Sequence, residues 1–217
     1  MFLRMNNNMF GDMKAGQAFS NVPFDRVVYV LWSRLRTNTE PIPPFVQGIT
    51  LPVEFTLNST PQGLRLRTHP IAEMATIRGK ELYSKANISL KTNEVFSFDP
   101  TMDTIEVEMS GTASTDAKVL IVNFGEGNDL ALDFSQQEVK GIKIEGAPQA
   151  GKTFSLRFFI DRAQWNVFVN DGVSYHHYAR RDTGQPLKNF NMVVRHGGTV
   201  TIDSLKVHEV KSVWNKK

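Results

Sequence analysis

The sequence predicts an all-β protein built as a two-sheet antiparallel β-sandwich of the jelly-roll type, and three observations predict it. Short apolar-alternating runs recur along nearly all of the 217 residues, punctuated by turn signals: GEGN at 125–128, DG at 171–172 and GG at 197–198. One run, FSLRFFIDRAQWNVFVNDG at 154–172, alternates in register on both sides of a tight turn. With Arg162 and Ala163 as a two-residue loop, Ile160 pairs with Trp165, Phe158 with Val167 and Leu156 with Val169, so one face is wholly apolar and must be buried. Finally, helical character is confined to PIAEMATI at 70–77, with proline in the first turn and Gly79 as a stop.

In chain order, strands are expected at 15–20, 27–33, 49–57 and 64–68, with the proline-rich EPIPPF at 40–45 interrupting regular pairing. The short connector helix at 70–77 follows, and a boundary between two regions falls near Arg78-Gly79. Beyond it, strands are expected at 82–90, 95–98, 104–110, 118–124, 130–134 and 139–145, then the hairpin, then 174–178, 190–195 and 199–210. Trp32 and Trp165 sit in alternating apolar strands and are expected in the core.

Composition narrows the function classes. A content of 41% hydrophobic and 22% charged residues is that of a globular chain, and 217 residues bury enough surface to need no metal or staple. The net charge is +3, but lysine and arginine alternate with aspartate and glutamate, so no nucleic-acid-binding surface is expected. No run approaches ~18 apolar residues, so no membrane span is expected. The opening MFLRMNNN lacks the apolar run of a signal peptide, and the compartment stays open. With no cysteine, disulfides and thiolate metal sites are excluded.

The second face of the hairpin carries the candidate site. It presents Ser155, Arg157, Phe159 and Asp161 against Gln164, Asn166, Phe168 and Asn170. Extending the register through Asp171-Gly172 sets Phe168 opposite Tyr175, so Arg157, Phe159, Phe168, Tyr175 and His177 share one sheet face. Flat rings flanked by polar groups suit carbohydrate, because the C–H faces of a sugar stack on aromatics while its hydroxyls need donors and acceptors. The same face would equally pack against the N-terminal segment. The pair His176-His177 points to opposite faces of a strand and has no further ligand at a recognised spacing, so neither a metal nor any other cofactor is expected.

The hairpin run resembles the C-terminal sandwich of glycoside hydrolase family 32, the invertases, levanases and inulinases, where it reads roughly LRIFVDRSSVEVFVNDG. Further motifs are similar along nearly the whole chain: GDMKAGQAFSN at 11–21 to the family's GDFYAGQTFSN, GLRLR at 63–67 to its DGLRL strand, and KVHEVKSVW at 206–214 to its closing strand. VYVLWSR at 28–34 and QGITLPVEFTL at 47–57 follow in the family's order. The resemblance implies a remnant of the last blade of a β-propeller with its connector at 1–78 and a C-terminal β-sandwich at 79–217. Met13 and Lys14 depart from the aromatic pair of the family motif, which weakens any fructose subsite there, and Asn166 stands where the family has glutamate.

The family's catalytic motifs are WMNDPNG for the nucleophile, RDP for the stabilising aspartate and EC for the acid/base. None is present: NDG at 170–172 and NDL at 128–130 lack the continuation, RDT at 181–183 is not RDP, and a chain without cysteine has no EC. Retaining hydrolysis needs two carboxyl groups roughly 5 Å apart, one ionised and one protonated, and no pair with that support is found. The resemblance therefore implies a non-catalytic portion of a fructan- or sucrose-acting hydrolase, with a structural and oligomerising role. The alternatives are a fructan-binding carbohydrate-binding module and a subunit of a split glycosidase. Partners expected on this basis are fructan or another carbohydrate, and either a second copy of the chain through residues 1–78 or the missing propeller blades.

Overall fold

A computed structural model describes residues 8–34, 47–60, 63–125, 127–180 and 187–213. The proline-rich 40–45, the RDT at 181–183 and the closing Trp214 lie outside the described residues. In the N-terminal region the strands are β1 (Met9–Gly11), β2 (Met13–Ala18), β3 (Val27–Arg34), β4 (Gln47–Ile49), β5 (Val53–Thr60) and β6 (Gly63–Pro70). After a 3-10 helix at Ala72–Ile77 come β7 (Arg78–Lys91), β8 (Val95–Phe98), β9 (Thr104–Ala113), β10 (Val119–Asn123), β11 (Asp129–Asp133), β12 (Glu138–Val139) and β13 (Ile142–Lys143). The chain closes with β14 (Thr153–Asp161), β15 (Gln164–Val169), β16 (Ser174–Ala179), β17 (Phe190–Arg195) and β18 (Thr199–Val210).

The expected sandwich is present. One sheet runs in the order β1-β16-β15-β14-β9-β18-β7, and the sheet facing it runs β13-β12-β11-β10-β17-β8. Alternation dictates what lies between them: Ile105, Val107, Phe158, Val167 and Val169 from the first sheet meet Leu120, Val122, Leu130, Leu132 and Val194 from the second in one buried cluster. The hairpin has the register its parity demands, Ile160 to Trp165, Phe158 to Val167 and Leu156 to Val169. Arg162 turns it with φ of 45°, the left-handed conformation a two-residue hairpin loop requires.

A third sheet, β2-β3-β5-β6 with β4 on β3, is built by the N-terminal region. The NDG turn at 170–172 does more than reverse the chain. Gly172 has φ of 77°, and a Cβ there would lie 2.3 Å from the carbonyl oxygen of Thr68 on β6. The Thr68 N–H donates to the Gly172 carbonyl at 3.0 Å, so the missing side chain lets the two regions join backbone to backbone.

Three expectations are corrected. The helix at 70–77 is a 3-10 helix starting at Ala72, because Pro70 completes β6 instead of opening a helical turn. The strand at 139–145 is two strands of two residues each, β12 and β13, since Lys140 and Gly141 both take positive φ and reverse the chain. The ladders among the sandwich's own strands are antiparallel as expected, and β1, unforeseen in the sequence, adds to its edge in parallel with β16. Trp165 is buried, but Trp32 is 52% exposed. It lies opposite Ile49 on the face of β3 away from Leu31 and Ser33, so strand alternation put it on the side that the described residues leave open.

Candidate functional site

The five residues of the hairpin face are brought together as the register requires. Arg157 and Phe159 on β14 stand opposite Phe168 and Asn166 on β15, which in turn stand opposite Tyr175 and His177 on β16. Phe168 and Tyr175 stack with ring centroids 4.7 Å apart, Phe159 meets Phe168 edge-on at 6.3 Å, and the Arg157 guanidinium lies 5.1 Å above Phe159. The face is nevertheless closed. Phe159, Phe168 and Tyr175 are buried in a cluster with Leu31 and Val53 of the N-terminal sheet and Met74 of the 3-10 helix, and His177 is buried as well. Rings with no exposed face offer a sugar nothing to stack on in this arrangement.

Several polar atoms on the closed face are paired with one another, while Asn166 Nδ2 is buried without a partner. Asn166 Oδ1 accepts from the Tyr175 hydroxyl at 2.6 Å and from His177 Nδ1 at 2.9 Å, and His177 Nε2 meets Ser33 Oγ across the two regions. Burial raises the Tyr175 hydroxyl's pKa well above its ordinary value and lowers that of His177 to about 4. The two histidines diverge: His176 lies against Phe10 and Ser174, His177 against Ser33 and Asn166. Among the described residues no group of three or more His, Asp or Glu side chains could hold a metal ion.

Arg157 alone of the five is not buried. It borders a cleft of about 730 Å³ between the N-terminal sheet and the sandwich, whose walls include Glu54, His69, Glu108, Asp171 and Lys206. Beneath the cleft lies Glu106, fully buried, which accepts from Arg157 Nε at 2.7 Å and from Arg78 Nε and Nη2 at 2.8 and 2.7 Å. Sequence reasoning missed Glu106 and Arg78, because their meeting depends on β9 lying beside β14 and β18, an order no local pattern encodes.

Each cleft carboxylate is tied to arginine: Glu54 to Arg26 at 2.7 Å, Glu108 to Arg78 at 2.6 Å and Asp171 to Arg67 at 3.0 Å. His69 bridges Thr56 Oγ1 at 3.2 Å and Asp171 at 3.5 Å. The cleft therefore offers hydrogen-bonding groups for hydroxyls, and no free acid facing a free nucleophile across a scissile bond.

No family model matches the chain. Among curated proteins it is 23% identical over 235 residues to the levanase of Bacillus subtilis and 24% identical over 230 residues to the levanase of Bacillus sp. strain L7. These matches cover 94% and 93% of this chain but 34% and 24% of the levanases, so it spans about a third and about a quarter of the length of the relatives it matches. Among solved structures, the exo-inulinase of Aspergillus awamori superposes with a TM-score of 0.73 at 17% identity, covering 94% of this chain and 44% of that one.

Proposed function

We propose that this chain, which resembles the C-terminal part of glycoside hydrolase family 32 proteins in sequence and fold, is a non-catalytic supporting module of a protein that acts on fructans or sucrose. The observation that carries the reading is the closed hairpin face. Its aromatic and histidine side chains are committed to clamping the N-terminal sheet. On this reading residues 1–78 are a blade remnant with its connector, residues 79–217 are the sandwich, and the N-terminal sheet assembles with further protein, a second copy in the first instance. The purified chain should release no fructose from sucrose, inulin or levan above the buffer rate. Turnover that scales with protein and disappears in Asp171→Asn or Glu54→Gln would overturn it.

A second reading, carbohydrate binding, is favoured by the cleft beside Arg157. Mixed carboxylate, guanidinium, imidazole and hydroxyl walls suit a neutral sugar chain, and the contacting set becomes Arg157 with the cleft wall in place of the five-residue face. Binding should be weak, micromolar to millimolar, about −4 to −8 kcal/mol. Calorimetry with levan and inulin oligosaccharides tests it: Arg157→Ala should weaken binding about tenfold, and absence of heat with every fructan leaves the supporting role alone.

A further inference from the structure

We propose that His176 and His177, adjacent on β16, form an acid-sensitive clasp that holds the N-terminal region on the sandwich at neutral pH and releases it on acidification. β16 is the strand on which the N-terminal region lands. β1 pairs along it with Phe10 beside His176 and Gly11 beside His177. The Tyr175 N–H donates to the Asn8 carbonyl at 2.7 Å and the Asp12 N–H to the His177 carbonyl at 3.0 Å. A Cβ on Gly11 would lie 1.8 Å from that same His177 oxygen, so β1 sits directly against the histidine backbone.

The two side chains grip the region from opposite faces. The His176 ring stacks on Phe10 with centroids 5.1 Å apart, its Nε2 lies 3.1 Å from Ser174 Oγ, and its buried Nδ1 has no hydrogen-bond partner. The His177 ring reaches Ser33 of β3. Because Asn166 Oδ1 is an acceptor only, His177 Nδ1 carries the proton and Nε2 accepts from the Ser33 hydroxyl. Ser33, His177 and Asn166 thus have the order of a nucleophile triad, but Ser33 is 2% exposed and the other two 0%, so no substrate reaches them. A connection between two bodies is the work left for such a chain.

Both rings are fully buried, where a charge is costly. A second proton would reverse the Ser33 contact, with His177 Nε2–H donating to the hydroxyl, and leave a buried imidazolium there, or would place a charged N–H at the unpartnered Nδ1 of His176. Among the described residues no carboxylate forms an ion pair with either ring. Around His177, β3 contributes Ser33 and β15 contributes Asn166, while on β16 itself Tyr175 bonds Asn166. The cations of neighbouring strands have their own partners: Arg157 of β14 holds Glu106, Arg65 of β6 holds Glu145, and Arg67 and His69 of β6 hold Asp171. Asp12, after β1, acts on Tyr178. Around His176 stand Tyr178 and Lys140, whose positive charge opposes protonation.

Burial lowers His177 to about 4 and, with Lys140 adding to it, His176 to about 3, against an ordinary value of 6.5. Released histidines would titrate near 6.5, so the released state takes up protons first. Docking is then at full strength above pH 6.5 and weakens as pH falls toward 4, by a factor on the order of 100 from His177 alone.

Hydrogen exchange at pH 7 and pH 4, corrected for the intrinsic rate, tests the clasp. Amides of 9–11, 27–33 and 53–70 should lose protection at pH 4 while those of 104–113, 154–169 and 200–207 keep theirs. The double variant His176→Leu, His177→Gln should lose this pH dependence. Simultaneous loss in both regions, or unchanged acid release in the variant, overturns the proposal. Should the variant fail to fold, NMR titration of the wild-type rings decides: both must stay neutral below pH 5 while the N-terminal amides are protected, and a ring titrating near 6.5 in the docked protein overturns it.

Discussion

Glu106 is the residue on which the cleft floor turns. Its carboxylate is fully buried between two guanidinium groups, Arg78 and Arg157, whose side chains are 29% and 32% exposed. Hydrogen bonding to Glu106 is the main cause that raises the Arg78 pKa further above its ordinary value. Glu106→Gln would leave two cations facing an amide that answers only part of their donors. Because both arginines retain some solvent, the expected loss is modest, about 1–3 kcal/mol, seen as a lower urea midpoint at unchanged slope. A variant within 0.5 kcal/mol of the parent would mean that water replaces the carboxylate. At this scale the sequence was legible where alternation sufficed: Arg157, Phe159, Phe168, Tyr175 and His177 do share a face. What covers that face was not legible, since burial under Leu31, Val53 and Met74 is set by strands remote in sequence.

Among elements, the hairpin β14–β15 was the most legible, because its apolar alternation admits one register and a slip of one residue would turn Phe158, Val167 and Trp165 to the other face. Its two faces do different work, and mutation separates them. Phe158 packs in the sandwich core, meeting Phe124 edge-on at 5.9 Å, and Phe158→Ala should lower global stability by about 3–5 kcal/mol. Phe168 packs in the smaller cluster under the N-terminal sheet. Phe168→Ala should therefore expose amides of β3, β5 and β6 to hydrogen exchange before those of β9 and β18; equal loss across both sets would argue that the two regions unfold as one unit. The elements that sequence missed are the short ones. β1, β12 and β13 have only two or three residues, too few for a periodicity: β1 and β12 lie beside the longer β16 and β11, and β13 turns back onto β12.

For the whole molecule, exposed apolar side chains are unevenly shared. Phe19, Phe24, Val27, Trp32, Ile49, Leu57 and Leu64 all belong to the N-terminal region, while the larger sandwich exposes only Val95 and Val213 among its described large hydrophobics. Single exposed apolar residues are ordinary, but Trp32 and Ile49 lie directly opposite each other, each 52% exposed, on a sheet whose strand β2 pairs on one side alone among the described residues. Such a surface gains by association, and a second copy supplies the same patch in a two-fold arrangement without any further component. The expected dimer would bury over ~1,000 Å² in total, the lower range for a specific interface. Light scattering across a hundredfold range of concentration should then report twice the 24.5 kDa of the chain. Trp32→Ser should return it to the monomer while leaving the sandwich amides protected. A 24.5 kDa species at every concentration would remove the second copy as the occupant of this surface.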